Sequence, residues 1–517
     1  MKLAKRLMNT LVAFACVCLC THTALANNLT ITNETLQVGE DGYTFVKADI
    51  SWDNSWKTSW TETRVTPNVT VTNWDAAWIF VKYRVATNGA PWQHASLSTN
   101  NSEHIAPSQA TINVGLSTNA AGINFGTGVF LYRSAEGRGS WSNTVKLRWN
   151  YAQDGVATTA RVDVSVHAIE MVYVPQGSFY VGDGTTTTIH GQFCSNTTGT
   201  VAFQITNDNY TITLGGGGAD SLGNNNASGM NQADDFNDGT PQTLPASFPK
   251  GYNAFYCMKY EISEGQWVSF FNMLTDSQKT TRDITSSVNS GKNNDGEVGR
   301  NTVAWTTGDA TTAAPDRACN YLSWGDGVAY ADWAGLRPMT ELEFEKACRG
   351  PLSSVAGEYA WGNTTISTTS AIVNDGTGAD TATGGNCNYG GCVLIGPYRV
   401  GIYATAASGR TASGASYWGI MEMSGNLWEL PVTVGNPNGR LFTGALGDGK
   451  LDPTTGNANA DYWPGTTASG AGLRGGHFQS QLFNLHLSGR VNAVNLLSKR
   501  TSAYGFRASR QATPGGQ

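Results

Sequence analysis

The sequence predicts an α+β protein whose first part is an all-β sandwich. Residues 27–168 contain short runs in which apolar and polar residues alternate, such as YTFVKADISW (43–52) and AAWIFVKYRV (76–85), with clusters of Asn, Gly, Ser and Pro between them. Runs of this period and spacing are typical of an antiparallel β-sandwich. The aromatic residues in these runs suit packing within the sheet, and sugar binding is the less common alternative.

Helical signals appear only after Met171. Two segments begin with a capping box, Ser263 with Gln266 and Thr340 with Glu343, and each carries apolar residues on one face. A few short helices among long, turn-rich loops indicate an α+β arrangement rather than a repeat or a doubly wound sheet. The predicted helices are 263–274, 323–335 and 340–350.

The N-terminus has the layout of a secretory signal peptide, residues 1–26. Three basic residues precede an apolar run, and Ala24-Leu25-Ala26 offers a cleavage site. The run is too short to span a bilayer, and no later stretch approaches about 18 apolar residues, so no transmembrane segment is expected. The sequence therefore predicts a secreted or cell-surface protein, with the periplasm as an alternative location.

Charge and length restrict the class of protein further. The chain has 33 Lys+Arg and 39 Asp+Glu, and removing three bases with residues 1–26 leaves 30 against 39, a net charge of −9. This balance excludes a nucleic-acid partner. A chain of 517 residues also suggests more than one domain. The predicted divisions are 1–26 (signal peptide), 27–168 (β-sandwich), 169–510 (α+β domain with a loop-rich insertion at 183–248) and 511–517 (tail).

Six cysteines follow the predicted cleavage site, and an even number in an exported chain favours disulfides. Cys387 and Cys392 are separated by four residues in GGNCNYGGC, where glycines let the chain fold back. They are therefore predicted to form a local bridge. The alternative, a metal-binding pair, lacks a neighbouring His or further Cys. The pairing of the other four is left open: Cys194, Cys257, Cys319 and Cys348.

Several segments occur in the order found in one protein family. They are MVYVPQGSFYVGD (171–183), KYEISEGQW (259–267), LSWGDGVAYADWAGLRPMTELEFEKACRG (322–350), YAWGN (359–363), MSGNLWEL (423–430), LRGG (473–476) and YGFRASR (504–510). Together they resemble the formylglycine-generating enzyme, or sulfatase-modifying factor, family over roughly 171–510. The resemblance implies a C-type-lectin-like α+β fold that is low in regular structure and often calcium-bound. RPMTE (337–341) departs from the Arg-Leu-Pro-Thr-Glu of the family pattern.

The resemblance implies a calcium site around MSGNLWE. The family's motif places a side chain three residues before a glycine and a glutamate four residues after it, and Glu422 and Glu429 hold those positions around Gly425. The residue types agree, because carboxylates are hard oxygen ligands and Gly425 lets the carbonyls of residue 425 and Leu427 turn inward. The alternative is a solvated acidic turn with Trp428 packed beneath it.

A second calcium position follows from the same resemblance. It falls near Asn374 and Asn388, whose spacing matches that of the family's second set of ligands. Calcium is therefore the expected cofactor of this chain.

The copper chemistry implied by the resemblance is expected to be absent. The family's oxidase converts a cysteine of an exported sulfatase into formylglycine, with copper held by two cysteines shortly after the Gly-Gly pair. Those positions hold Ser480 and Leu485, and no cysteine follows Cys392. Copper(I) needs thiolate ligands, so copper is not expected as a cofactor. His477 and His486 lack a third ligand, and the His-x3-His-x-Glu iron motif of the family's sulfoxide-synthase relatives is missing.

The sequence therefore predicts an exported, non-catalytic binding or surface-structural protein. Its partner is an unidentified extracellular ligand, a protein or a glycan, and irregular loops on a scaffold are where recognition usually occurs. The alternative is an oxidoreductase of the same family with an altered active site. The residues expected to face the ligand are His477, Gln479, Gln481, Asn484 and Asn495.

Overall fold

The computed structural model describes residues 28–513 except 88, 119–121, 185–188, 196–200, 219, 225–228, 237–239, 289, 297, 406 and 496–497. The predicted signal peptide and residues 514–517 lie outside the described residues. The strands are β1 (Thr30–Glu40), β2 (Tyr43–Glu62), β3 (Val69–Val85), β4 (Gln93–His94), β5 (Ala110–Thr118), β6 (Asn124–Arg133), β7 (Gly137–Trp149), β8 (Val162–Val174), β9 (Phe179–Val181), β10 (Phe193–Cys194), β11 (Phe203–Ile205), β12 (Ile212–Leu214), β13 (Gly223–Asn224), β14 (Gln242–Leu244), β15 (Phe255–Met258), β16 (Arg337–Pro338), β17 (Ala371–Val373), β18 (Thr381–Thr383) and β19 (Ala508–Gln511). The α-helices are α1 (Glu264–Asn272), α2 (Asp276–Arg282), α3 (Trp324–Trp333), α4 (Glu341–Arg349), α5 (Arg410–Ser413) and α6 (Pro437–Arg440), and 3-10 turns lie at Asn101–Glu103, Lys292–Asn294 and Leu482–Asn484.

A sheet of 11 strands extends through most of the described chain, with the path β1-β2-β3-β8-β15-β19-β16. The first half of β2 pairs with β1 and β7, and its second half pairs with the start of β3. Strand β3 then pairs with β6 and β8, and β6 pairs with β5. The long, bent β2 and β3 therefore connect two sets of antiparallel strands.

An apolar core lies between these two sets of strands. In β2, every second residue from Val46 to Trp52 is buried, as the alternating pattern predicts. These residues share one cluster with buried side chains of β3, β7 and β8. Among those partners are Ile79, Val81, Trp149 and Val166.

Strand β3 is buried on both faces. Its other face directs Trp78 and Phe80 against the helices of the α+β region. The ring of Phe80 lies 5.1 Å from that of Trp333 in α3, which in turn lies 5.3 Å from Phe270 in α1. The indole N–H of Trp78 donates to the carbonyl of Ala334 at 2.8 Å. The first strands and the later helices therefore share a core.

Strand β8 crosses the predicted boundary between residues 168 and 169. It pairs with β3 from Val162 to Val172 and with β15 from Met171 to Val174. The strands of the first region thus belong to the same sheet as β15, β19 and β16. A mixed α+β fold agrees with the prediction, whereas a separate all-β sandwich is not confirmed.

The three predicted helices are confirmed as α1, α3 and α4. The capping boxes of Ser263 with Gln266 and of Thr340 with Glu343 are both formed. Helix α2 was not predicted, although Thr275 and Gln278 form a capping box at its start. None of the helices in the described part of the chain has the length and apolar character needed to cross a membrane.

Buried arginines tie the loops of the α+β region to helix α4. Arg474 forms ion pairs with Glu341 at 3.2 Å and Glu345 at 2.7 Å. Arg490 reaches Glu341 at 2.7 Å and Asp234 of the long insertion, also at 2.7 Å. All five side chains are buried. Because buried charges are costly unless paired, these contacts fix the positions of the loops that carry them.

Candidate functional site

The Gly-Gly segment (residues 473–490) begins with an elbow. Gly475 and Gly476 have φ of +84° and +79°, a conformation that other residues rarely adopt. A Cβ on Gly476 would lie 2.5 Å from Cδ2 of Leu485, so the packing also requires glycine. The carbonyl of Gly475 accepts a 2.8 Å hydrogen bond from the N–H of Gly425. The elbow is therefore joined directly to the turn that carries the predicted calcium ligands.

The two positions that the family resemblance assigns to copper ligands are buried. The hydroxyl of Ser480 accepts a hydrogen bond from the backbone N–H of His477 at 2.9 Å. Leu485 is fully buried and packs with Tyr359 and Trp361. Ser480 thus supports the local backbone and Leu485 fills an apolar core, and neither side chain is a soft metal ligand.

The five predicted ligand-facing residues differ in exposure. Gln479 and Gln481 are exposed, whereas His477, Asn484 and Asn495 are half-buried. Burial lowers the pKa of His477 to about 4. The side-chain oxygens of Asn484 and Asn495 are buried without a hydrogen-bond partner in the structure. The structure therefore brings the two glutamines to the surface but places the other three partly inside.

The acidic turn (residues 422–429) is buried. Glu422 and Glu429 are 8% and 1% exposed, so the solvated turn considered from the sequence is wrong. Gly425 has φ of +86°, and a Cβ there would lie 2.4 Å from the carbonyl oxygen of Asn388. Glycine thus lets the turn pack closely against the loop that contains Asn388.

Each of the two glutamates has one satisfied and one free oxygen. Oε1 of Glu422 accepts from the N–H of Gly401 at 2.8 Å, and Oε1 of Glu429 accepts from Nε of Arg507 at 2.7 Å. Both Oε2 atoms are buried and have no hydrogen-bond partner in the structure. Because buried polar atoms are usually satisfied, these two carboxylate oxygens are candidate ligands for a cation.

A third carboxylate, Glu261, joins this turn and was not predicted. It is 1% exposed and accepts hydrogen bonds from the N–H of Leu427 at 2.9 Å and from Nδ2 of Asn426. Its place in KYEISEGQW, one of the family-like segments, was the available signal. Residue spacing gave no indication of contact with a turn more than 160 positions later.

The three carboxylates are electrostatically unbalanced. Burial raises the pKa of Glu261 well above its usual range, and Glu429 and Glu422 raise it further. Burial raises the pKa of Glu422 to about 7, and it raises that of Glu429 against the opposing charge of Arg507. Among the described residues, neither Glu261 nor Glu422 forms an ion pair. A cation at this turn would relieve the imbalance.

The unpaired oxygens near the turn are of the chemical kinds that calcium binds. Besides the free Oε2 atoms of Glu422 and Glu429, Oδ1 of Asn388 is buried without a hydrogen-bond partner. Nδ2 of Asn388 donates to Oδ1 of Asn426 at 3.1 Å, which places Asn388 beside the turn. Within the described residues, no group of three or more His, Cys, Asp or Glu side chains is placed to hold a metal ion. Ca²⁺ also takes amide and backbone oxygens, so two carboxylates with neutral oxygens form a suitable set.

The second predicted calcium pair is divided between two environments. Asn388 is 2% exposed beside the acidic turn. Asn374 is exposed on the hairpin of β17 and β18, and its carbonyl accepts hydrogen bonds from the N–H and hydroxyl of Thr377. The arrangement supports a role for Asn388 at the acidic turn and gives no such support for Asn374.

The predicted bridge between Cys387 and Cys392 is not formed, and both are free thiols. Sγ of Cys387 donates to the carbonyl of Ser424 at 3.1 Å, and Sγ of Cys392 donates to the carbonyl of Cys387 at 3.3 Å. Cys387 points inward beneath Gly425, where a Cβ would lie 2.5 Å from its sulfur. The glycines permit a turn, but the thiol of Cys387 packs against the acidic turn and forms no bond with Cys392.

The acidic turn is hydrogen-bonded to the Gly-Gly segment within a mixed α+β fold. This combination defines a domain of the sulfatase-modifying type. A model of the sulfatase-modifying factor enzyme 1-like domain matches residues 156–512, more than half of the chain. The chain belongs to this family. The match includes β8, helices α1 to α4, the acidic turn and the Gly-Gly segment, and its start lies within the predicted β-sandwich region.

Named relatives share shorter stretches. The formylglycine-generating enzyme of Thermomonospora curvata is 46% identical over 56 residues, 11% of this chain and 18% of that protein. The formylglycine-generating enzyme of Mycobacterium tuberculosis is 32% identical over 124 residues, 23% of this chain and 34% of that protein. The hercynine oxygenase of Mycolicibacterium thermoresistibile is 32% identical over 116 residues, 22% of this chain and 20% of that protein. The matched stretches thus span about a fifth to a third of these relatives.

Proposed function

We propose that this chain is an exported binding or surface-structural protein whose sulfatase-modifying-type domain serves recognition rather than copper oxidation. The observation that carries the proposal is the pair of residues at the positions assigned to copper. Ser480 is used as a backbone acceptor and Leu485 is buried in an apolar cluster. Without a thiolate at either position, the segment lacks the soft ligands that hold Cu(I).

An exposed tip on the Gly-Gly segment supports the recognition role. Leu482 and Phe483 are 44% and 41% exposed, and Gln479 and Gln481 are exposed beside them. Buried arginines anchor the chain on both sides of this tip. Exposed apolar and amide side chains on an anchored segment are typical of surfaces that bind a protein or a glycan.

The oxidation of a cysteine-containing sulfatase peptide tests the proposal. The full chain, supplied with copper, a reductant and oxygen, is expected to leave the peptide cysteine unchanged by mass spectrometry. The formylglycine-generating enzyme of M. tuberculosis serves as the positive control. Copper-dependent conversion of the peptide by this chain would overturn the proposal.

An oxidoreductase with an altered site is the second candidate, because the loop that carries Cys387 and Cys392 lies against the replaced positions. The N–H of Gly390, between Cys387 and Cys392, donates to the carbonyl of Ser480 at 3.1 Å. Cys387 also packs in the same cluster as Leu485. This candidate ranks second because burial raises the pKa of the Cys387 thiol well above its usual value and keeps it protonated.

Cysteine replacements separate the two candidates. If the relocated thiols act in an oxidation, Cys387→Ser and Cys392→Ser will each abolish Cu(I) binding and turnover. Cys319→Ser, a buried thiol in a different apolar cluster, is the matched control. The binding role predicts that all three variants and the unmodified chain show the same absence of turnover.

We also propose that the acidic turn binds calcium through Glu422, Glu429 and Asn388, with the carbonyls of Gly425 and Leu427. The free buried oxygens support this assignment. The ion would offset the excess of carboxylates and hold the turn against the loop of Asn388. Its contribution would be structural, fixing the base of the Gly-Gly elbow.

Thermal unfolding of a Glu422→Gln variant tests the calcium proposal. The amide keeps an acceptor for the N–H of Gly401 but removes a buried charge, so without calcium at pH 8 the variant is expected to melt above the unmodified chain. Calcium at about 100 times its Kd stabilises by about 2.7 kcal/mol, which is several degrees for a protein of this size. That gain is expected in the unmodified chain and not in the variant. Equal responses of both proteins to calcium and chelator would contradict the site.

A further inference from the structure

A cleft lies where the first strands meet the α+β region, away from the Gly-Gly segment. One wall comes from the hairpin of β2 and β3, and the other from the chain after β8, helix α4 and residues near Trp418. Its volume is about 740 Å³, within the range of roughly 300–1,000 Å³ usual for small-molecule sites. No residue of the segment 473–490 lines it.

The charge of the cleft differs from that of the whole chain. Three basic side chains, Lys57, Arg64 and Lys346, line it, and none of its lining residues is acidic. The chain as a whole has 39 acidic and 33 basic residues. A cationic cleft in an acidic protein favours an anionic ligand.

The three basic side chains differ in pairing and exposure: Lys57 is half-buried, whereas Lys346 is 2% exposed. The charge of Arg64 is balanced by Glu62, which it contacts at 2.7 Å, and Glu62 also accepts from the hydroxyl of Tyr417 at 2.7 Å. Among the described residues, neither Lys57 nor Lys346 has a carboxylate within ion-pair distance. The contacts of Glu62 therefore fix the hairpin wall, and Lys57 is the more accessible cation for a ligand.

Each lysine donates to backbone carbonyls and lies over aromatic rings, Lys57 over Trp74 and Tyr132 and Lys346 over Phe179 and Phe255. Nζ of Lys57 donates to the carbonyl of Ser134 at 3.2 Å, and Nζ of Lys346 donates to those of Gly251 and Tyr252 at 2.5 and 2.9 Å. An ammonium group has three donors, so both lysines retain hydrogen-bonding capacity. Burial lowers the pKa of Lys346 to about 7, and the charges of Asp208 and Glu343 oppose this shift.

The rest of the lining suits a polyhydroxylated ligand. Trp74 lies parallel to the rings of Tyr132 and Tyr173, with centroid distances of 5.1 and 3.9 Å, and all three line the cleft. Each of these side chains is only 4 to 5% exposed, so the rings supply small apolar patches for the C–H groups of a sugar. Hydroxyl and amide side chains can bond the polar rim of the sugar. The neutral polar side chains of the walls include Thr70, Thr72, Gln176, Ser178, Gln204 and Ser353.

We propose that this cleft binds a saccharide that carries a carboxylate or a sulfate group. The lysines would bind the anionic group, and the aromatic and hydroxyl-bearing walls would bind the sugar rings. An acidic peptide would satisfy the charge but would leave the hydroxyl and amide groups of the walls less well matched. The cleft is thus a second binding site, independent of the recognition proposed for the Gly-Gly segment.

Calorimetric titration of the full chain tests this proposal with four probes. A hexuronate trisaccharide and a sulfated chondroitin tetrasaccharide distinguish carboxylate from sulfate, and at least one is expected to bind. Maltotriose and a tetraglutamate peptide supply the sugar without charge and the charge without sugar. Binding by either control as tight as by the acidic saccharides, or no binding of either acidic saccharide, would overturn the proposal.

Two variants locate the binding in the cleft. Lys57→Gln is expected to weaken the acidic saccharide about tenfold, while Lys47→Gln, ten residues earlier in the same strand and outside the cleft, leaves its Kd unchanged. Gln204→Glu places an anion on the opposite, exposed wall and is expected to weaken binding as well, which keeps the test valid if Lys57→Gln folds poorly. Unchanged affinity in Gln204→Glu, or equal loss in Lys47→Gln, would contradict the cleft as the site.

Discussion

The acidic turn and the Gly-Gly segment lie side by side but retain different parts of what the family resemblance implies. The turn keeps Glu422 and Glu429, with free oxygens suited to calcium. The segment has Ser480 and Leu485 where thiolates are implied. Both are nevertheless held by buried arginines, Arg507 at the turn and Arg474 and Arg490 at the segment. The comparison shows that the ion pairs that position the loops are separable from the residues that would bind a metal.

Removing the arginine anchors should have the largest effect on this comparison. Arg490→Met would leave Asp234 and Glu341 without this partner, and Arg507→Met would leave Glu429 unpaired beside two other carboxylates. Each change is expected to lower the free energy of unfolding by about 3–5 kcal/mol in denaturant titrations, because it leaves a buried charge uncompensated. Arg138→Met on the exposed surface of β7 is the control, with a change within about 0.5 kcal/mol.

Calcium should separate the two anchor variants. In Arg507→Met the unpaired Glu429 would bind calcium more strongly, so added calcium is expected to restore part of the lost stability. In Arg490→Met the damage lies outside the turn, and calcium is expected to add no more than it adds to the unmodified chain. The same calcium response in both variants would remove the distinction between the turn and the segment.

The pH dependence of His477 provides the next largest effect. Burial lowers its pKa from 6.5 to about 4. The unfolded chain therefore takes up this proton first, so stability is complete above pH 6.5 and is lost as the pH falls towards 4. The loss amounts to about 3 kcal/mol at most, from 1.36 kcal/mol per pKa unit. His477→Gln should lack this pH-dependent part of the free energy of unfolding. If the difference in unfolding free energy between the two proteins stays constant from pH 7 to 4, the prediction is wrong.

The exposed tip of the segment should show the smallest effect. Gln479→Ala and Gln481→Ala are expected to change the free energy of unfolding by less than about 0.5 kcal/mol, because both side chains are exposed. Ser480→Ala between them removes the acceptor for the N–H of His477 and should cost about 1 kcal/mol or more. A loss of stability in the glutamine variants as large as in Ser480→Ala would show that the tip is structural rather than free to bind a ligand.

Local patterns allowed the helices and many strands to be predicted. The capping boxes at Ser263 and Thr340 fix helix starts through contacts three residues apart, so the sequence alone contains the necessary information. The alternation from Val46 to Trp52 likewise reports a strand with one buried face. The acidic turn was identified through the family resemblance, in which Glu422 and Glu429 hold the motif positions around Gly425, and its burial was not predicted.

Features that depend on distant contacts were not predictable. Trp78 and Phe80 lie on the second face of β3, and only helices some 190 to 250 residues later determine that this face is buried. Glu261 contacts Leu427 of the acidic turn although it lies 166 residues earlier in the chain, which is beyond the reach of any local motif. The direction of Cys387 likewise depends on the approach of Gly425. The spacing of residues along the chain does not indicate which distant segments come into contact.

Strand β19 has a consequence for the order in which the molecule can be completed during synthesis. It pairs with β15 and β16. Nη2 of its Arg510 donates to the carbonyl of Leu116, which lies 394 residues earlier in the chain. A nascent chain cannot form these contacts until Ala508 and its neighbours have left the ribosome, and such long-range pairing is intrinsically slow. Shorter translation products would lack the strand between β15 and β16. They would leave both edges open to proteases and chaperones, so strand β19 distinguishes chains translated beyond residue 508 from prematurely terminated ones.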